Sequence, residues 1–288
     1  MRILIPGGDG MLGHEFLRVL GRTHEVRVTL RRELAAYSGS GLFHAGNTYA
    51  EVDIRNAESM RACFEDFRPQ AVINALGVVK QRPDAADSIL SITINSLFPH
   101  QLAMLCEEYS SRLVQMSTDC VFSGNRGGYT EGDVTDANDL YGRSKILGEV
   151  RGDHCLTLRT SIIGRELSRR NGLLEWFLAQ KGSAKGYRKA IFSGFSATEM
   201  ARVIDRLLTR HPQVSGLYHA SSEPIAKYDL LKMIKDALNL QIQIVPDDSF
   251  QIDRSLDSAR LRAELGYTPP TWAEMIEELA RTFPRTAA

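Results

Sequence analysis

Tyr141 and Lys145 stand four residues apart in the stretch DLYGRSKILGEV, Asp139 to Val150. Leu140, Ile146, Leu147 and Val150 give that stretch a helical apolar set, so the phenol and the ammonium share one face. Two chemistries fit the spacing. One is a solvated surface pair. The other is proton transfer, by a phenol whose proton a nearby positive charge makes labile. The second requires a cofactor, a hydrogen-bonding partner and a substrate cavity, which other parts of the chain must supply.

The partner is offered by QMSTDCVFSG, where a strand-like run ends and Ser117, Thr118 and Asp119 follow. Ligand crevices of parallel sheets lie at the carboxyl ends of strands, which places these three beside a ligand. A cofactor cradle is offered by IPGGDGMLGHEF. Gly7, Gly10 and Gly13 recur as GxxGxxG between a strand, RILIPG, and a helix, MLGHEFLRVLGR, with Met11 and Leu12 opening the helix. Glycines allow a tight turn and close approach of backbone N–H groups to a pyrophosphate, and the helix N-terminus favours its charge. A plain strand–helix turn also uses glycine, but the strand–loop–helix context is the one a dinucleotide requires. The next strand, EVRVTLRRE, ends in Arg31 and Arg32, which favour NADP through its 2′-phosphate, while Glu33 leaves NAD open. Asp53, followed by Ile54 in VDIRN, ends a further strand. Its carboxylate either accepts from the adenine amino group or, like Asn56, caps a helix.

The elements that must position these groups alternate. Strand-like RILIPG, EVRVTLR, AVINALG, RLVQMST and CLTLRTS are separated by helical patterns, including a long one in SITINSLFPHQLAMLCEEYS that Pro99 kinks or begins. This is an α/β chain with a doubly wound parallel sheet. After Gly164 the rhythm loosens. Residues 1–164 read as a dinucleotide-binding domain, to which segments near 190–210 return, and 165–288 mainly as a smaller α/β substrate lobe. KGSAKGYRKA reads as a basic loop within it, whose Lys181, Lys185, Arg188 and Lys189 are either solvated or phosphate-directed.

The chain has 288 residues, 43% hydrophobic and 24% charged, enough for a sizeable core. Lys+Arg and Asp+Glu balance at 35 each, so no overall charge points to nucleic acid. Cys63, Cys106, Cys120 and Cys155 form no CxxC pair, and the histidines have no metal-ligand spacing, so neither metal nor disulfide is expected. MRILIP meets glycine too early for an export signal and no run approaches a membrane span, which together with the cysteines favours a reducing cytoplasm.

GxxGxxG, STDCVFSG and YGRSK together resemble the extended short-chain dehydrogenase/reductases, most closely the dTDP-4-dehydrorhamnose reductases with their STD-Y-VFDG and YGxxK. LRTSIIG, GLYHAS and RSLDSARL add matches, so the likeness spans nearly the whole chain. It implies a Rossmann domain and a Thr118–Tyr141–Lys145 triad. In such a triad Tyr141 donates a proton as hydride reaches a ketone, Lys145 and the oxidised nicotinamide lower its pKa, and Thr118 orients the ketone. It further implies cofactor contacts at Asn74, Ala75 and Gly77, and a substrate side formed from Ser117, Asp119, Thr160, Ser161 and Arg254. The implied substrate is a nucleotide-linked 4-keto-6-deoxysugar, a precursor of cell-surface polysaccharide, and a homodimer is compatible. There are departures. Cys120 replaces the family's tyrosine and reads as buried and inert. NALGVVKQ replaces N-A-A-A-Y-T, so Lys80 and Gln81 are open to a different substrate. FSGFSATEM lacks the family's Asp-Gln and Pro. Arg159 reads as a structural pair, Asn95 equally as a functional residue or as a cap or core hydrogen bond, and Trp176 and Trp272 as core anchors. An epimerase or dehydrogenase of nucleotide sugars, or a dinucleotide-binding regulatory subunit, stand as alternatives.

Overall fold

A computed structural model describes residues 1–79, 86–167 and 171–283. The first half runs β1 (Arg2–Pro6), α1 (Met11–Leu20), β2 (Glu25–Thr29), β3 (Thr48–Tyr49), α2 (Ala57–Phe67), β4 (Ala71–Asn74), α3 (Ser88–Ile92), α4 (Phe98–Glu108), β5 (Arg112–Met116), α5 (Leu140–Leu147) and β6 (Cys155–Arg159). The second runs β7 (Ile162–Ile163), α6 (Leu173–Leu178), β8 (Ser183–Phe192), β9 (Phe195–Ser196), α7 (Ala197–Thr209), β10 (Gly216–His219), β11 (Ile225–Ala226), α8 (Lys227–Ala237), β12 (Gln243–Asp253), α9 (Ala259–Leu265) and α10 (Trp272–Ala280).

Seven parallel strands form the main sheet in the order β10-β6-β5-β4-β1-β2-β3. Its strands are apolar on both faces, as a sheet covered on both sides demands. The two-residue period then sorts their side chains. Ile3, Ile5, Ile73, Val114 and Leu158 face the layer with Phe16 and Leu20 of α1 and Ile204 and Leu207 of α7. Leu4, Val72, Leu113 and Cys155 face Phe64 of α2 and Phe98 and Leu102 of α4. The first of these layers continues without a break into Phe192, Leu230 and Trp272, so both lobes share one core.

The late part of the chain returns to the sheet further than 190–210. Helix α7 packs on α1, and β10 pairs with β6 to close one edge of the sheet. The stretch expected as a basic loop is strand β8, the middle of a three-stranded sheet with β11 and β12. Its cations are partly tied down there: Lys185 pairs with Asp247 at 3.1 Å and Arg188 with Asp248. Trp272 is buried, whereas Trp176 is 39% exposed and anchors no core.

Helices α3 and α4 join through a π-helical turn, Thr93–Leu97, and Pro99, which has no N–H to donate, sits in the first turn of α4 directly after it. Ser88–Glu108 is long and apolar enough to cross a membrane, contrary to the expectation that no run is. In this fold Phe98, Leu102 and Cys106 bury one side of it against the sheet.

Candidate active site

The carboxyl ends of β1, β4, β5 and β6 open into one cavity of about 390 Å³, roofed by the ends of β8 and β12 through Ile191, Phe192, Ile252 and Arg254. Its floor begins at the glycine loop. Gly7 has φ +90°, a conformation L side chains rarely adopt. A Cβ on Gly13 would lie 2.0 Å from the Gly7 carbonyl oxygen, so only glycine lets the first turn of α1 press against the loop. Gly10, in extended conformation, caps α1 without a side-chain bond, and Gly10, Met11 and Leu12 line the cavity. A ten-residue helix thus points its N-terminal N–H groups at the cavity across a glycine turn, which fits a pyrophosphate.

The reacting wall is built from β5 and α5. Asp139 caps α5, its carboxylate accepting from Gly142 N at 2.7 Å, and this sets Tyr141 and Lys145 against the end of β5. Lys145 is buried, and its Nζ donates to the Met116 carbonyl at 2.7 Å. Burial lowers its pKa to about 8, against the raising effect of Glu149. The half-buried Tyr141 moves the other way: burial holds its phenol well above the usual range, and the Thr118 hydroxyl only partly opposes this. Without the nicotinamide charge that the expected lowering also drew on, loss of hydration and the neighbouring Cys120, Asp119 and Asp139 outweigh the Thr118 hydrogen bond. The Thr118 hydroxyl also accepts from Cys120 N at 3.1 Å and donates to Asp119 Oδ1 at 3.2 Å. Burial raises the pKa of that carboxyl, although Arg254 and Lys227 act against it.

Of the residues singled out in the sequence, Gly10, Met11, Leu12, Ala75, Gly77, Ser117, Thr118, Asp119, Tyr141, Lys145, Thr160, Ser161 and Arg254 line this one cavity. Gly7 and Gly13 lie beneath it. Asn74 is fully buried behind it, where it donates to Gln115 Oε1 at 2.8 Å and accepts from Leu76 N at 3.2 Å. It shapes the loop from below rather than lining the cavity. Ser117 Oγ donates to Glu149 Oε1 at 2.8 Å, so its hydroxyl is engaged within the protein. Arg254 Nε donates to the Phe122 carbonyl at 2.8 Å, tying the STDCVF loop to the roof. Arg31 and Arg32 are exposed and outside the cavity lining. Asp53 lies outside it too, paired with Arg55 at 2.5 Å, with Arg31 close enough to lower its pKa further. Asn56, not Asp53, caps α2. Ile54 packs on the α2–α4 side of the core. Lys80 and Gln81 lie outside the described residues.

Cys120, expected to be buried, is half-exposed on the cavity wall, with its Sγ accepting from Arg254 Nη1 at 3.7 Å. Arg159 is a structural pair, as expected, bonded twice to Glu149. Asn95 bridges Val78, which it both donates to and accepts from, and Ser144 of α5 at 3.1 Å. The cavity also contains Asp9, Glu166, Asn171 and Lys227, which the sequence reading passed over. Asp9 was legible inside the glycine motif. Nothing near Lys227 marks it. Among the described residues, no three His, Cys, Asp or Glu side chains are placed to hold a metal.

Comparison with known proteins agrees with this architecture. Residues 1–284 match the family described as the RmlD substrate binding domain, and the chain belongs to that family. A dTDP-4-keto-6-deoxy-D-glucose reductase of Streptomyces niveus is 30% identical over 149 residues, spanning 51% of this chain and 46% of that enzyme. The methionine adenosyltransferase 2 subunit beta of Rattus norvegicus is 24% identical over 265 residues, covering 83% of this chain and 72% of that protein. The crystal structure of a dTDP-4-dehydrorhamnose reductase of Bacillus anthracis, in complex with NADP, superposes with a TM-score of 0.78 at 21% identity. It covers 96% of this chain and 98% of that one.

Proposed function

We propose that this member of the RmlD family is an NADPH-dependent reductase of a nucleotide-linked 4-keto-6-deoxysugar. The observation that carries the reading is the convergence of Thr118, Tyr141 and Lys145 on one cavity with the N-terminus of α1. The named activities of the Streptomyces and Bacillus relatives support it, and the NADP of the latter agrees with Arg31 and Arg32 at the end of β2.

When bound, the dinucleotide supplies the hydride. Gly10, Met11 and Leu12 would hold its pyrophosphate, and Ala75 and Gly77 would flank it. Tyr141 then acts as general acid. Its raised pKa keeps the phenol protonated until charge develops on the ketone oxygen, and the proton moves there as the carbonyl becomes an alcohol. Thr118 Oγ1 orients that oxygen by hydrogen bonding. Lys145, as an ammonium, stabilises the phenolate left behind. Asp119, Thr160, Ser161 and Arg254 form the sugar-nucleotide side of the same cavity. Asp119 is followed by Cys120, so this loop lacks the paired carboxylates of an eliminating dehydratase.

The test is NADPH oxidation, followed by absorbance, over a panel of 4-keto nucleotide sugars. Turnover of at least one supports the reading, and inertness toward all of them overturns it. The relative that is a subunit of methionine adenosyltransferase favours a second reading, a dinucleotide-binding regulatory subunit. Under that reading Tyr141→Phe leaves the biological role intact.

A further inference from the structure

Behind the reacting wall runs a chain of buried polar contacts that the proposed chemistry leaves unused. Helix α5 ends at Gly148, where an added Cβ would fall 1.9 Å from the Asn95 carbonyl oxygen, so the chain turns tightly under the π-helical segment. That turn brings Glu149 beneath the end of β5. Its side chain is 13% exposed and accepts three bonds: from Ser117 Oγ at 2.8 Å, from Arg159 Nε at 2.7 Å and from Arg159 Nη2 at 2.8 Å. Beyond it, Arg159 lies over the Phe122 ring and 3.4 Å from His219 Nε2. His219 is fully buried, held toward its neutral form by burial, with Nδ1 on the Tyr129 carbonyl and its backbone N–H donated to Glu131.

A carboxylate placed only to neutralise Arg159 would need none of its geometry toward β5. Here three consecutive residues of β5 and its exit are each pinned. Lys145 holds the Met116 carbonyl, Glu149 holds the Ser117 hydroxyl, and Thr118 is held by Cys120 N. Gln115 Nε2 also reaches the Met116 carbonyl, at 3.1 Å. We propose that Glu149 is a positioning residue for the reaction: it locks the Met116–Thr118 edge through Ser117 and Arg159. The charge of Glu149 also acts on Lys145, raising its pKa against burial. The other groups around this pair are Tyr141 on α5, Ser117 just past the end of β5, Arg159 on β6, His219 on β10 and Glu131 on the segment after Tyr129. Asp119 and Cys120 face Tyr141 from the cavity side. A buried cation next to one buried carboxylate responds strongly when that carboxylate loses its charge.

The inference rests on the assignment of Tyr141 and Lys145 above, so its test has one arm that needs no turnover. Lys145 is labelled with acetic anhydride across pH 6–10 and followed by mass spectrometry, in the wild type, Glu149→Gln and Glu149→Asp, with thermal melts as a check of folding. The labelling midpoint is expected near 8 in the wild type, about one unit or more lower in Glu149→Gln, and restored in Glu149→Asp. The second arm is kcat at pH 8.5, expected to fall on the order of tenfold in Glu149→Gln. A folded Glu149→Gln with the wild-type midpoint overturns the proposal. A wild type that reduces no sugar overturns the functional reading instead and leaves the labelling comparison standing. If Glu149→Gln does not fold, Ser117→Ala carries the test: it removes one of the three bonds and keeps both charges. A several-fold drop in kcat supports the positioning role, and wild-type kcat overturns it.

Discussion

The two ends of the dinucleotide cleft are made in different ways. At the reacting end the functional groups are mostly buried; Lys145 is held across elements by Met116 and Ser117 by Glu149, while Thr118 is held within its own loop. At the end where the proposed reading puts adenosine, Arg31 and Arg32 are exposed, and Asp53 is paired with Arg55, two residues away on the same loop. Burial shifts pKa values and fixes geometry at the first end, whereas water screens charge and leaves rotamers free at the second. On the proposed reading, chemistry is thus tied to the fold, while Arg31 and Arg32, which would carry cofactor preference, can change without disturbing it.

The largest expected effect breaks the comparison at its buried end. Tyr141→Phe should lower turnover on the order of 10²–10⁴-fold with NADPH binding retained, as measured by initial rates and fluorescence titration. A loss of binding of the same size would mean that the phenol is part of the scaffold instead. Next comes pH. Burial sets Lys145 at about 8, below the usual lysine value, so it loses its charge as pH rises through 8, while Tyr141 stays protonated. Sugar reduction should be level below about pH 8 and fall roughly tenfold per unit above it. A profile level to pH 10 would remove the ammonium from the mechanism. At the exposed end, Arg31→Ala should raise the KM for NADPH roughly five- to tenfold and leave that for NADH unchanged, a loss of about 1 kcal/mol. An equal change for both cofactors would place Arg31 outside 2′-phosphate recognition. Asp53→Asn should change either KM by less than about twofold, since an exposed ion pair contributes little. A tenfold effect would show a direct role in holding adenosine.

The fold's first half was legible because its signals are local. GxxGxxG stands at a strand–helix junction, and buried parallel strands appear as apolar runs. Strand β8 was missed because its inward set is small: Ala184, Gly186 and Ala190 alternate with polar neighbours, and two glycines imitate a loop. The edge position of β10 is a matter of long-range pairing, and GLYH carries no mark of its partner. In the site, spacing singled out Tyr141 and Lys145, strand position pointed to Ser117, Thr118 and Asp119 together, and the family resemblance chose Thr118 among them. None of these signals could tell that the Ser117 hydroxyl turns inward to Glu149 while its neighbour Thr118 faces the cavity, since both depend on how β5 and α5 meet. The elevated phenol was likewise hidden, because charge can be counted along a chain and burial cannot.

The placement of β10 has a consequence for biosynthesis. Until residues 216–219 have left the ribosome, the backbone of β6 has a bare flank, although the other six strands of the sheet have already been translated. A chain stopped at Gly164 would therefore carry an adhesive strand, prone to pair with a neighbour's, and should be recovered as aggregate. Protecting that flank waits on the segment that follows α7.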